Sequence, residues 1–280
     1  MKKIQIFTMI YILLYPGNSA YADIATTTKP HISFEIELIE WDLADRLLPK
    51  YSTFTVIDIE TGKSFRVQRR AGKNHTDVQP LTSQDTKIMK EIYSGKWSWK
   101  RRAILVQMDD YLIPSSMHGM PHGAGALKNN FPGHFCIHFQ GSRLHKKDVM
   151  DYSHKLMVLK AAGLLNEYVA NLNATELSRV FIEGLNQHDL SILSLTTDTS
   201  EWGKNQDFNK FRRDLETIKI KTITLPSHST DLLKVESVIT VSMYTKSNGK
   251  QKGTILLPLT RSSLLDSWRV LYAGAEIIIE

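Results

Sequence analysis

Apolar and polar residues alternate along short segments of the first half of the chain, and this period predicts β-strands. In residues 32–38, isoleucine, phenylalanine and leucine alternate with serine and glutamate, which is the pattern of a half-buried strand. The same period predicts further strands at 53–58, 64–69, 103–108, 111–116 and 135–139. A short helix is expected after the strand at 64–69, capped near Thr82 or Ser83.

The second half of the chain opens with helical periodicity and continues with long strands. Residues 151–169 are predicted to be helical, and Asn173 with Glu176 three residues later has the pattern of a capping box that begins another helix. Four strands are expected beyond it, at 218–225, 232–244, 254–260 and 267–279. Helices followed by a long antiparallel sheet indicate an α+β unit.

These patterns predict two domains, which suits a chain of 280 residues. The first is mainly β and spans 32–160, and the second is α+β and spans 174–280, with a connecting helix or linker at 161–173. The leading helix and long strands of the second resemble the cone-shaped fold of nuclear transport factor two and ketosteroid isomerase. That resemblance implies a curved antiparallel sheet and a spacer or peptide-binding role.

The chain begins with the pattern of an export signal. Two lysines precede an apolar run at 4–15, and residues 20–22 (Ala-Tyr-Ala) offer a small-x-small cleavage site. We therefore expect a signal peptide at 1–22, a linker at 23–31 and a secreted, cell-wall-associated protein. The run is shorter than the roughly 20 apolar residues of a relaxed membrane span. An N-terminal anchor that escapes cleavage is the alternative.

The net charge bears on the kind of partner that the protein binds, and the cysteine content bears on disulfide formation. The formal charge of +6 falls by two, to +4, when Lys2 and Lys3 leave with the signal. This mild excess suits an anionic polymer such as a bacterial wall, and no basic block is dense enough to favour nucleic acid. With one cysteine, the exported chain cannot form an internal disulfide.

The single cysteine, Cys136, lies in a Gly-His-Phe-Cys-Ile-His-Phe segment at 133–139. Strand alternation places His134, Cys136 and His138 on one face of the segment and the apolar residues on the other. An adjacent imidazole lowers the pKa of a thiol and raises the fraction of reactive thiolate. The pattern therefore favours a cysteine nucleophile over a buried cysteine that only packs.

A His-Gly pair, His118-Gly119, stands eighteen residues before Cys136 at the end of a predicted strand. The glycine- and proline-containing stretch at 120–133 between them is predicted to be a loop that folds over a site. Here the sequence resembles the L,D-transpeptidases, exported bacterial enzymes that cross-link peptidoglycan. That family carries a His-Gly pair at a strand end, a loop, and then a Ser/Thr-His-Gly-Cys segment. The resemblance covers roughly residues 32–158.

The resemblance implies a β-sandwich catalytic domain with short helices that acts on peptidoglycan stem peptides and needs no cofactor or metal. Cys136 would attack a peptide carbonyl, His118 would accept its proton, and the Gly119 carbonyl would orient the imidazole. The sequence departs from the family at Gly133, at Phe135 and at Ile137-His138. The choice between transpeptidation and L,D-carboxypeptidase-like hydrolysis therefore stays open.

Other side chains are candidates for the same site. His122 is a rival base, and His134 and His138 are expected to tune the thiol. Arg143 and His145 are candidates to bind a substrate carboxylate. His75 or Asp77 is expected to reach the cleft. Trp97 and Trp99 alternate in a strand-like stretch and either line a groove or pack in the core.

Two functions of other classes fit the same residues. His118 and His122, together with His134, Cys136 and His138, offer donors for zinc, which favours a zinc-dependent cell-wall peptidase. No carboxylate lies between residues 117 and 139 to serve as its base. The third hypothesis is a non-catalytic wall-binding protein, for which Cys136 would be dispensable.

Overall fold

The computed structural model describes residues 35–144, 149–225 and 232–280. These residues form a mixed α/β structure with a closed six-stranded barrel and a second sheet. The predicted signal peptide and linker lie outside the described residues, as do residues 32–34 of the first predicted strand and His145. Within the described ranges, no helix has the length and apolar character that a membrane span requires.

The elements follow one another in a β-rich half and a half that begins with helices. The helices are α1 (Trp41–Leu47), α2 (Ser83–Ile92), α3 (Tyr152–Ala161), α4 (Leu165–Ala170), α5 (Ala174–Gln187), α6 (Leu190–Thr196) and α7 (Gln206–Asp214). The strands are β1 (Thr53–Asp58), β2 (Ser64–Ala71), β3 (Thr76–Pro80), β4 (Arg101–Met108), β5 (Tyr111–His118), β6 (Phe135–His138), β7 (Leu215–Thr224), β8 (Lys234–Thr245), β9 (Gly249–Thr260), β10 (Arg269–Val270) and β11 (Glu276–Ile279). Short 3₁₀ helices lie at Thr199–Lys204 and Tyr272–Gly274.

Strands β1 to β6 close into the barrel in the order β1-β2-β3-β6-β5-β4, and all neighbours are antiparallel. Alternate residues of these strands, such as Val56, Val67 and Ile113, are fully buried in one hydrophobic cluster. The strand β6 is short, and it is hydrogen-bonded to β3 on one side and to β5 on the other. The ladder on both sides fixes the backbone of Cys136.

The second sheet has the order β10-β9-β8-β7, and β11 also pairs with β9. Helix α5 packs against β7 and β8 with Leu177, Val180 and Phe181, which are buried with the apolar face of the sheet. A capping box at Asn173 begins this helix, as the sequence predicts: its side chain accepts from the Glu176 amide, and the Glu176 carboxylate accepts from the Asn173 amide. The predicted order of helices followed by an antiparallel sheet is therefore confirmed.

Most predicted elements are present, with several differences. The six strands of the first part close into one barrel, whereas a sandwich of two stacked sheets was expected. The predicted helix at 151–169 is two helices, α3 and α4, because Gly163, with a positive φ of 73°, lies between them. Helices α1, α6 and α7 and strand β3 were not predicted. The predicted strand at 267–279 is two short strands, β10 and β11, because a 3₁₀ turn separates them, and the described residues 35–38 of the strand predicted at 32–38 contribute only an isolated bridge between Ile36 and Leu112. The division into domains at 32–160 and 174–280 stays a prediction, as do the specific fold resemblances.

Candidate functional site

The site lies where β5 ends and β6 begins. Strand β5 ends at His118, and the segment 119–134 then leads into β6, which carries Cys136. Asp77 of β3 is the cross-strand partner of Cys136, and Ser116 of β5 is the partner of His138. Because one face of each strand meets the same face of its neighbours, this register brings side chains far apart in sequence around the sulfur.

Two acceptors share the single proton of the thiol. The Sγ of Cys136 lies 3.4 Å from Oδ1 of Asp77 and 3.4 Å from Nε2 of His122. The thiol is only 5% exposed. Burial, and then the charge of Asp77, raise the pKa of Cys136 far above its ordinary value. In the absence of a cation or substrate, the sulfur is therefore a neutral thiol that donates to one acceptor at a time.

His122 is oriented by its backbone surroundings. Its Nδ1 lies 3.1 Å from the Met120 carbonyl oxygen, which can only accept, so Nδ1 carries the proton and Nε2 presents its lone pair to the thiol. The backbone of His122 forms a two-way bridge with that of His134, each N–H donating to the other carbonyl at 2.9 Å. The ring of His134 meets the ring of His122 edge-on at 4.5 Å.

His118 lies beside His122, with ring centroids 5.1 Å apart. Burial lowers the pKa of His118 well below its ordinary value, and neighbouring Arg101 and His122 lower it further. The imidazole is therefore neutral at pH 7. Its Nδ1 lies 3.4 Å from the Met120 amide and accepts there, whereas the role implied for the Gly119 carbonyl needs Nδ1 to donate. Trp99, which is half exposed, covers both rings at 4.8 and 5.5 Å.

Gly119 is needed for close packing behind His118. A Cβ at this position would lie 2.4 Å from the ring of Tyr93. The Gly119 amide donates to the Ser98 carbonyl at 2.8 Å, and the Tyr93 hydroxyl donates to the Met117 carbonyl at 3.4 Å. The glycine of the His-Gly pair thus lets an aromatic ring support the end of β5.

Three buried imidazoles stack on the other side of the site. The ring of His138 lies between those of His75, at 4.5 Å, and His154, at 3.8 Å, and all three are nearly parallel. Burial lowers the pKa of both His138 and His154 well below the ordinary value, so both are neutral at pH 7. The Nδ1 of His138 is buried and has no hydrogen-bond partner within the described part of the chain.

Polar contacts fix the outer members of this stack. The Nδ1 of His75 donates to the Arg143 carbonyl at 2.9 Å, and its Nε2 lies 3.2 Å from Oδ1 of Asp77. The Nδ1 of His154 lies 2.8 Å from the Ser116 hydroxyl. Asp77 therefore connects the stack to the thiol.

The loop at 120–133 is tied to the barrel by the buried side chain of Gln79. Its Nε2 donates to the Gly133 carbonyl at 2.8 Å, and its Oε1 accepts from the amides of Ala126 at 2.9 Å and Leu127 at 3.3 Å. Farther along, Asn129 donates to the Pro80 carbonyl and accepts from the Phe131 amide. The loop that carries His122 is thereby held in one conformation over β3.

An open cleft of about 760 Å³ adjoins the site at Trp99 and Met120. Helices α3 and α5 and strand β7 form its far wall, with Ser153, Gln187 and Ile218 among the lining residues. Trp99 lines the cleft and also contacts the rings of His118 and His122. Neither His122 nor Cys136 lines the cleft, and Trp99 connects the cleft to the two imidazoles.

Most residues that the sequence names do converge. Asp77 and His122 contact the thiol, His118 lies beside His122, and His75 and His138 lie next to Asp77 in the stack. His134 positions His122 through its backbone and ring. Arg143 reaches the site with its backbone carbonyl. The sequence did not name His154, Gln79 or the Met120 carbonyl, because nothing in their local pattern distinguishes them from packing residues.

Two overlapping sets of side chains have the geometry to hold a metal ion. The donor atoms of His118, His122 and Cys136 all lie within 4.8 Å of one another, and so do those of His75, Cys136 and His138. The carboxylate of Asp77 approaches from β3, which supplies the acidic group that the segment 117–139 lacks.

No protein-family model matches the chain, and no curated protein matches it.

Proposed function

We propose that this protein is an exported cysteine acyltransferase that acts on peptidoglycan stem peptides. One observation supports the chemistry above all others: Nε2 of His122 faces Sγ of Cys136 at 3.4 Å while its Nδ1 is held by the Met120 carbonyl. A thiol with a correctly oriented base is the minimum that covalent acyl transfer requires. Export and the substrate rest on the signal-peptide pattern and on the resemblance to the L,D-transpeptidases.

The reaction begins from the neutral thiol and imidazole. As Sγ of Cys136 bonds to the carbonyl carbon of the donor peptide, its proton passes to Nε2 of His122, because the raised pKa of the thiol disfavours a free thiolate. The C–N bond then breaks, and His122 returns the proton to the departing amine. An acceptor amine or water attacks the thioester and gives a proton to His122, the C–S bond breaks, and His122 passes that proton to the departing sulfur, which restores the neutral thiol.

Access to the sulfur sets the direction of attack. Asp77, His118 and His138 around the thiol are buried, whereas His122 is partly exposed. A peptide in the cleft beside Trp99 would therefore approach Cys136 along the side of the His122 ring.

His122 is proposed as the base, and His118 as its neighbour that stays neutral. The sequence favoured His118 for this role, but the hydrogen-bonding distance to the sulfur is that of His122. A neutral His118 does not oppose protonation of His122, whereas a positive charge 5.1 Å away would oppose it.

The proposal is tested by incubating the mature protein, in EDTA, with a disaccharide-tetrapeptide. We expect either a cross-linked dimer or a trimmed tripeptide, and a thioester mass on Cys136 in the intact protein. Exposure to a carbapenem should give an adduct at the same residue. Cys136→Ala should abolish the product, the thioester mass and the carbapenem adduct. His122→Ala should lower the acylation rate by about 10²–10⁴-fold, which is the range of general-base catalysis.

The matched comparison is between His122→Ala and His118→Ala. A larger loss in the His118 variant would transfer the role of base to that residue. The acyltransferase proposal fails if the folded wild-type protein forms neither product nor any adduct at Cys136. It also fails if Cys136→Ala retains the activity.

A further inference from the structure

We propose that His118, His122 and Cys136 form a binding site for a divalent metal ion of zinc type, in which the sulfur is bound as the thiolate. The inference goes beyond the proposed acyl transfer and rests on the donor geometry alone. Thiolate sulfur and imidazole nitrogen are the donors that zinc prefers.

The distance between the donors fits one tetrahedral ion. With Zn–S of about 2.3 Å and Zn–N of about 2.0 Å, a tetrahedral angle separates sulfur from nitrogen by about 3.5 Å. The Sγ of Cys136 and Nε2 of His122 are 3.4 Å apart, and the nitrogen donor of His118 lies within 4.8 Å of both. To bind the ion, His118 gives up the hydrogen bond that its Nδ1 accepts from the Met120 amide, and a movement of its side chain then completes a three-ligand site.

Ring orientation selects this set over the alternative set of His75, Cys136 and His138. A metal lies in the plane of each imidazole that binds it, because the nitrogen lone pair lies in that plane. The rings of His75 and His138 are stacked within 12° of parallel, so their planes do not converge on one ion. The rings of His118 and His122 are inclined at 43° and are not stacked, so this arrangement does not keep one ion out of both ring planes.

The surroundings of the ligands also suit a cation. His122 donates its second ring nitrogen to the Met120 carbonyl, which is the outer contact that metal-binding histidines commonly make. A dication with one thiolate ligand keeps a net charge of +1, which compensates the carboxylate of Asp77 next to the sulfur. Three protein ligands leave a fourth position for water or a ligand from the cleft.

Metal binding and nucleophilic attack exclude one another in this site. The ion would withdraw electron density from the sulfur and occupy the single Nε2 lone pair of His122 that takes up the proton during attack on a carbonyl. The metal-bound protein is therefore expected to be unreactive at Cys136, and removal of the metal should restore reactivity.

The test measures zinc binding to the metal-free, full mature chain by competition with a chromogenic chelator. We expect one tight site per chain, and at least about tenfold slower alkylation of Cys136 by iodoacetamide when zinc is bound, reversed by EDTA. Cys136→Ser and His122→Ala should each weaken zinc binding by more than about 100-fold, beyond the usual cost of losing an outer-shell partner. His188→Asn at the left-handed C-terminal end of α5 is the histidine control and should bind zinc normally.

X-ray absorption on the wild-type zinc protein gives a result that does not depend on how the variants fold. We expect one sulfur at about 2.3 Å and two imidazole nitrogens at about 2.0 Å. A site without sulfur, or zinc binding that survives in Cys136→Ser, overturns the proposal. Loss of binding in His138→Ala with retention in His122→Ala would assign the metal to the other set. None of these outcomes depends on peptide substrates, so the acyl-transfer proposal is decided separately.

Discussion

Asp77 and Cys136 are cross-strand partners on β3 and β6, and the carboxylate oxygen of one lies 3.4 Å from the sulfur of the other. A negative charge at this distance opposes ionisation of the thiol, in the opposite sense to the neighbouring cation that activates most nucleophilic cysteines. The resting site is therefore held in its protonated form. Reactivity then depends on His122 accepting the proton at the moment of attack.

Replacing the Asp77 carboxylate with an amide should make the thiol more reactive. Asp77→Asn removes the charge that, after burial, contributes most to the raised pKa of Cys136. Each unit by which the pKa falls multiplies the thiolate fraction about tenfold, so iodoacetamide in the presence of EDTA should alkylate the variant faster. The control is Asp207→Asn, an exposed residue in the first turn of α7, which should leave the rate unchanged. Equal rates in wild type and Asp77→Asn would contradict the electrostatic account.

The anchoring of the loop by Gln79 should be measurable as stability. In Gln79→Leu, the Gly133 carbonyl and the Ala126 and Leu127 amides lose their partner. We expect a loss of about 1–3 kcal/mol in the free energy of unfolding, because the Gly133 carbonyl would be left buried and unpaired, whereas the exposed Ala126 and the half-buried Leu127 have access to water. Chemical denaturation and hydrogen exchange of the amides in 120–133 are the measurements. Gln84→Leu on the exposed side of α2 should change stability by no more than about 0.5 kcal/mol.

Gly133 should not tolerate a side chain. Its φ is +123°, and a Cβ would lie 2.5 Å from the backbone oxygen of His122. Gly133→Ala should cost at least about 3 kcal/mol, since an unfavourable backbone conformation and an overpacked contact add together. Gly62 also has a positive φ, of 68°, but has open space where its Cβ would be, so Gly62→Ala should cost only about 1–2 kcal/mol. Similar losses in both variants would show that the contact with His122 has no energetic weight.

Lys100 gives a pH dependence of known sign. Burial lowers its pKa from 10.5 to about 8, while its Nζ donates to the backbone carbonyls of Asn186 and Glu216 in the wall of the cleft. Between these two values the unfolded chain holds the proton and the folded protein does not, so the free energy of unfolding should rise as the pH increases from 8 to 10.5.

The measurement is the urea midpoint of wild type and Lys100→Met across this range. The stability of wild type relative to the variant should rise with pH across this range, since only wild type gains the contribution from Lys100. A difference that stays constant from pH 8 to 10.5 would show that the pKa of Lys100 is not lowered.

The sequence predicts the local features of this fold better than it predicts which strands pair with one another. The strands of β1 and β2, the caps of α2 and α5 and the common face of Cys136 and His138 all follow from periodicity and capping residues within a few positions. In contrast, strand β3 was not predicted from the sequence. Every residue of Thr76–Pro80 is buried, so the segment shows no alternation.

The contact between Asp77 and Cys136 could not be predicted from the sequence, because it depends on strand β3. Asp77 and Cys136 are 59 residues apart, and only the register of β3 against β6 makes them neighbours. Which of His118 and His122 contacts the sulfur likewise depends on how the loop at 120–133 folds, which the His122–His134 bridge and Gln79 determine. His-Gly spacing alone cannot specify that geometry.

The ladder on both sides of β6 has a consequence for how such a protein can diversify. Because the sulfur is positioned by β3 and β5, its place does not depend on the length or composition of the loop that supplies His122. A change of that loop would therefore alter His122, and also Met120 at the rim of the cleft, while the sulfur stays where it is. Substitutions in 120–133 would then change what reaches the sulfur without a change in the barrel.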